Sequence, residues 1–123
     1  MNSRDKGKRG EREFAAFLRE RGITARRGQQ FAGGDDSPDV VHDIPGVHFE
    51  VKRCESGSLY EWLKQAISDA AGKIPIVAHR RNNKDWVAIL PMTDLLMLIE
   101  DARKQWGIVC TSQSGPDQTR EAA

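Results

Sequence analysis

Only two of the 123 residues are cysteine, three are histidine and one is tyrosine. Cys54 and Cys110 stand far apart with no CxxC pairing, which excludes a disulfide framework and a structural zinc site and fits a reducing cytoplasm. No apolar run exceeds five residues, as at 95–99, and the charged residues 4–9 have no apolar segment behind them. A membrane span and a secretory signal are therefore not expected. Net charge is nearly absent as well, with 19 Lys plus Arg against 18 Asp plus Glu. What is present is the composition of one compact domain, 38% hydrophobic and 30% charged. A large multidomain enzyme is excluded, and residues 1–110 read as a single domain followed by a flexible polar tail, 111–123.

The small net charge conceals a pattern. Residues 1–34 hold nine basic and four acidic side chains, 35–69 hold three and eight, 70–84 hold four and none, and 85–123 hold three and six. Basic segments flanking an acidic one suit a metal-dependent enzyme acting on phosphate backbones, with cations for the backbone and carboxylates for the metal. A solvated surface with fluctuating sign reads the same way.

Helix formers with Phe14, Ala15, Phe17 and Leu18 at helical spacing predict a first helix over 8–21, stopped by Gly22, with the basic residues Arg4, Lys6, Lys8 and Arg9 as an arm at its start. A short strand follows at 23–27, then a loop over 28–37 that contains Asp35 and Asp36. The runs 38–44 and 47–53, separated by Pro45 and Gly46, predict a hairpin. A second helix is expected over 59–71, central strands over 74–78 and 86–90, and a last helix over 94–105 with Thr93 as its cap. The order αβββαββα is that of an α/β (mixed α+β) domain, a mixed sheet flanked by helices.

Within 47–52, strand alternation places Val47, Phe49 and Val51 on one face and His48, Glu50 and Lys52 on the other. Asp39 opens the neighbouring strand beside a loop, so two carboxylates and a lysine can converge. Two carboxylates hold Mg²⁺ or Mn²⁺ through oxygen, and an ammonium orients a nucleophile or stabilises negative charge. The plainer reading of Glu50 and Lys52 is an exposed same-face ion pair worth less than about 1 kcal/mol. Glu11 lies beside the apolar stripe of the first helix, where it is either a third acid of that site or a first-turn residue favoured by the helix dipole.

Gly10-Glu11-Arg12-Glu13 on a first helix, Pro38-Asp39 opening a strand and Glu50-Val51-Lys52 on the next resemble the PD-(D/E)XK nuclease superfamily, over about residues 6–104. The nearest likeness is to archaeal-type and phage Holliday junction resolvases. That resemblance implies a restriction-endonuclease-like fold and a metal held by Asp39, Glu50 and the Val51 carbonyl. Lys52 becomes the catalytic lysine and Glu11 the additional acid, reaching the metal directly or through water. It also implies Gln65 as a site glutamine on the second helix and Arg27 as a DNA contact. Arg26, Lys8, Arg9, Arg80 and Arg81 are further candidates for the DNA backbone. The implied activity is Mg²⁺-dependent cleavage of four-way junctions, with Mn²⁺ substituting. A homodimer is expected to act on branched or duplex DNA at the nucleoid of a bacterial or phage-infected cell, contributing to recombination and repair. A general nuclease for flap or duplex DNA, and a non-cleaving DNA-binding accessory, are the alternatives.

Overall fold

The computed structural model describes residues 3–28 and 39–110. The elements are α1 (Ser3–Glu20), β1 (Ala25–Arg27), β2 (Val40–His42), β3 (Val47–Arg53), α2 (Leu59–Ala70), β4 (Ile74–Arg80), β5 (Val87–Ile89) and α3 (Met92–Cys110). Their order is the expected αβββαββα, and the fold is a mixed α/β arrangement with two sheets. The expected loop, with Asp35 and Asp36, and the polar tail lie outside the described residues. No helix among the described residues is long and apolar enough to cross a membrane.

Contacts divide the chain into two compact units at the Leu90 to Pro91 junction. In the first unit, α1 starts earlier than its apolar stripe suggests. The basic residues Arg4, Lys6, Lys8 and Arg9 thus belong to the helix and do not form an arm ahead of it, because residues 3–8 contain no proline and the single Gly7 costs only about 1 kcal/mol. Its end is as expected. Gly22 takes φ 84°, Gly22 N–H donates to the Arg19 carbonyl and Ile23 N–H to the Leu18 carbonyl, closing the helix in a Schellman motif.

Phe14, Ala15 and Leu18 of α1 bury against Ala25, Val40, Val47, Phe49 and Ala78, with Phe17, Ile23 and Trp86 packed around them. Gly10 lets the helix approach β3 closely, since a Cβ there would stand 2.5 Å from the Arg53 Cβ. On the opposite face, Ala66 and Ala70 of α2 are buried where that helix packs on β3 and β4. Both faces of β3 are thereby covered, and Val47 through Glu50 are all buried.

The hairpin expected between β2 and β3 does not form. β2 pairs antiparallel with β1, matching Arg26 to Val41, while β3 pairs parallel with β4, matching Glu50 to Val77, and β4 pairs antiparallel with β5. Pro45 and Gly46 do make a turn, but it passes the chain from one sheet to the other. Ile74 N–H donates to the Gly46 carbonyl at 2.9 Å, so the turn is tied to the start of β4. β5 also departs from expectation, as an outer strand with Val87 and Ala88 exposed.

The described part of the second unit is α3. Asp94 and Leu95 N–H both donate to the Pro91 carbonyl, so the helix begins two residues ahead of the expected start, with Thr93 inside its first turn. Met92, Leu96, Met97 and Ile99 are exposed.

Candidate functional site

The site is built around β3. Alternation sends Phe49 into the aromatic cluster beneath α1 and turns His48, Glu50 and Lys52 toward α2, as the sequence predicts. Asp39 sits one residue before β2, and its Oδ2 accepts the Val51 N–H at 2.9 Å. That bond draws the start of β2 to the β3 edge opposite β4. The N–H and C=O of one strand residue leave on the same edge, so the Val51 carbonyl shares the edge that Asp39 occupies.

Glu50 is 4% exposed. Its Oε2 lies 3.9 Å from Lys52 Nζ, and Lys52 Nζ donates to Gln65 Oε1 at 3.4 Å. Gln65, which helical periodicity supports poorly, therefore reaches the lysine from α2. Glu11 Oε1 accepts from Arg27 Nε at 3.1 Å, bringing the end of β1 to the first helix. Glu50 lies close enough to both Asp39 and Glu11 for its charge to act on them, which brings the Lys52 and Gln65 pair and the Glu11 and Arg27 pair into one neighbourhood.

The outer basic residues divide. Arg26 and Arg9 are exposed and Lys8 is half-buried. Arg81 is exposed, whereas Arg80 donates to Glu13 Oε1 at 2.5 Å, and Arg53 donates to the same oxygen at 3.0 Å. Arg80 is thereby spent on holding β4 to α1. His79 is also internal, with Nε2 2.9 Å from the Cys54 carbonyl and its ring 4.8 Å from that of Trp62.

Two further residues enter the site that the sequence motifs did not select, His48 and Asp69. One ligand atom each from His48, Glu50 and Asp69 lie within 4.8 Å of one another. Asp69 falls one helical turn after Gln65, and His48 two strand positions before Glu50, so both share faces with residues already in view.

Negative charge is crowded here. Burial, followed by the Glu50 charge, pushes Asp39 up to about 7, against the pull of the Val51 N–H. Burial also raises Glu11, with Arg27 opposing, and burial followed by Glu50 raises Asp69. Carboxylates placed this close in a sheltered site are stabilised together by a cation. Two carboxylates and a backbone carbonyl are the hard oxygen donors that Mg²⁺ and Mn²⁺ take, so Asp39 and the Val51 carbonyl on the strand edge, with Glu50 of the adjoining face, fit a divalent ion.

The raised Asp39 has a consequence for folding. Between its ordinary 3.8 and about 7 the folded, metal-free protein holds this proton more tightly than the unfolded chain does. Stability from this group therefore falls as pH rises through that window. Urea unfolding of the metal-free protein should show the fall, and Asp39→Asn should flatten it. An equal pH dependence in both proteins contradicts the assignment.

A mixed α/β unit that gathers an aspartate before one strand, a Glu-X-Lys on the next and a glutamate on the first helix defines the class of PD-(D/E)XK nucleases. Residues 2–115 match the model of the family described as "Phage putative PDDEXK endonuclease", and the chain belongs to that family. A comparison with curated proteins gave no match. Nucleases of this class generally use a divalent metal and take nucleic acid as substrate.

Proposed function

We propose that the protein is a Mg²⁺-dependent, structure-specific endodeoxyribonuclease that cuts four-way DNA junctions. The observation that carries the reading is the convergence of Asp39, Glu50 and Lys52. Asp39 is fixed by the Val51 N–H, and Lys52 is fixed between Glu50 and Gln65. A bound cation supplies Lewis acidity to the scissile phosphate and to water.

The protein's own groups do the rest. Lys52 holds a positive charge where negative charge develops on the phosphate, and its contacts with Glu50 and Gln65 keep the ammonium from swinging into solvent. Gln65 spends its carbonyl oxygen on Lys52, which leaves its amide N–H groups free to orient water or a phosphate oxygen. Glu11 stands at the edge of the site and aims Arg27, whose guanidinium is placed to take a backbone phosphate next to the cut. Arg26, Lys8, Arg9 and Arg81 extend the cationic surface along the DNA. Arg80 is better assigned to the fold than to DNA, because Glu13 already occupies it. Recognition through backbone and shape needs no base readout.

Paired nicks across a symmetric junction require two sites, so the active form is a homodimer. The reading treats residues 1–110 as the nuclease domain and places its work on DNA in the cytoplasm, at the nucleoid of a bacterial or phage-infected cell.

The test is cleavage of a labelled four-way junction with Mg²⁺, in competition with matched linear duplex, using Asp39→Asn as control. Paired nicks that resist the competitor and vanish in the variant are expected. Equal cutting of junction and duplex reassigns the protein as a general nuclease with the same site. Cutting that persists in Asp39→Asn removes Asp39 from the chemistry, and tight, salt-sensitive binding without turnover makes it a DNA-binding accessory.

A further inference from the structure

The two carboxylate oxygens of Glu50 have different surroundings. Oε2 faces Lys52, whereas Oε1 is buried and faces His48 Nε2 at 3.5 Å, and neither Oε1 nor Nε2 has a hydrogen-bond partner. His48 is 8% exposed and Glu50 4%, so the pair is withdrawn from solvent. Two buried polar atoms left without hydrogen-bond partners are costly. A cation between the two satisfies both. Asp69, an exposed residue of α2, adds a third donor within reach.

We propose that His48, Glu50 and Asp69 form a second divalent-cation site on the α2 face of β3, distinct from the Asp39 edge and sharing only Glu50 with it. The donor set is one imidazole nitrogen with two carboxylates. Imidazole favours first-row transition ions, whereas Mg²⁺ and Ca²⁺ favour oxygen alone. The site therefore takes a transition ion such as Mn²⁺ in preference to Mg²⁺. Three protein donors leave coordination positions open to water. A protein with both sites occupied carries two unlike positions, an oxygen site at the strand edge and a nitrogen-containing site beneath α2. The second position adds His48 and Asp69, which the nuclease motif does not include, and has only Glu50 in common with it, so it does not depend on the junction-cutting reading.

The probe is Mn²⁺ added to the full chain. The electron paramagnetic resonance signal of free Mn²⁺ counts the bound ions, and pulsed measurements detect the ¹⁴N modulation of a ligated imidazole. Wild type is expected to show the modulation, and Asp39→Asn to keep it while losing junction cleavage. His48→Gln should abolish it, and Asp69→Asn should weaken Mn²⁺ binding at this site by about tenfold or more. Asp69 is exposed, so its replacement leaves the core intact. An excess of Mg²⁺ should leave the modulation in place. Absence of ¹⁴N modulation in wild type, its persistence in His48→Gln, its loss in Asp39→Asn or its displacement by Mg²⁺ each overturns the proposal. Failure of the junction assay with the modulation present counts against the junction-cutting reading alone.

Discussion

Glu50→Gln is expected to lower cleavage by about 10³-fold, on the scale of losing one electrostatic catalytic group, while making the metal-free protein more stable by about 0.5–2 kcal/mol. Both effects come from the same carboxylate. It is buried, lies near Asp39 and Asp69 and raises both, and its Oε1 has no hydrogen-bond donor. Gln keeps the shape and removes the charge, so the repulsion around Asp39 relaxes and Asp39 returns toward its ordinary range. An amide is a poor ligand for a hard cation compared with a carboxylate, so the metal loses one of its charged oxygen ligands. Single-turnover cleavage and metal-free urea unfolding measure the two effects. Cleavage within tenfold of wild type takes Glu50 out of the chemistry, and a lower unfolding midpoint shows that Lys52 and His48 hold the carboxylate better than its neighbours repel it.

Phe14→Ala has the opposite sign and is expected to cost about 3–5 kcal/mol, a large share of the 5–15 kcal/mol that typically holds a domain together. Phe14 is 4% exposed, and its ring centroid lies 5.0 Å from that of Phe49 and 4.9 Å from that of Trp86. One residue therefore joins α1, β3 and the segment leading into β5. Truncation opens a cavity in the layer that supports the first helix, one turn after Glu11. Phe14→Leu, which keeps most of the volume, should cost less than about 1.5 kcal/mol. Urea midpoints of the two variants decide the matter, and a loss below about 1 kcal/mol for the alanine variant would show that the layer collapses to fill the space.

How much of this was legible in the sequence follows from which physical signals are local. The stripe of Phe14, Ala15 and Leu18, the Gly22 stop and the two-residue alternation of β3 are written in neighbouring positions, and each appears in the structure. The strand partners are not. Pro45 and Gly46 signal a turn without saying which strands pair across it, and β2 finds β1 instead of β3. That choice is settled by packing across the sheet, which a local turn cannot encode. In the sequence Arg80 looks like cationic surface because its partner Glu13 is 67 positions away. His48 and Asp69 come from a strand and a helix whose relative rotation only the folded chain reveals. Gln65 is the converse case, since helical periodicity spoke against it and the resemblance placed it, and the contact with Lys52 brings it to the site.

Six of the seven residues of β3 serve two masters in strict alternation, Val47, Phe49 and Val51 toward the aromatic layer and His48, Glu50 and Lys52 toward the charged one. Insertion or deletion of a single residue within the strand exchanges the two sets, driving a carboxylate and an ammonium into the apolar layer and Phe49 into the acidic cluster. Chemistry and stability fail in the same event. Descendants of this sequence can therefore vary β3 by substitution, or change length in the turns at either end, but a one-residue change of length inside the strand has no viable halfway form.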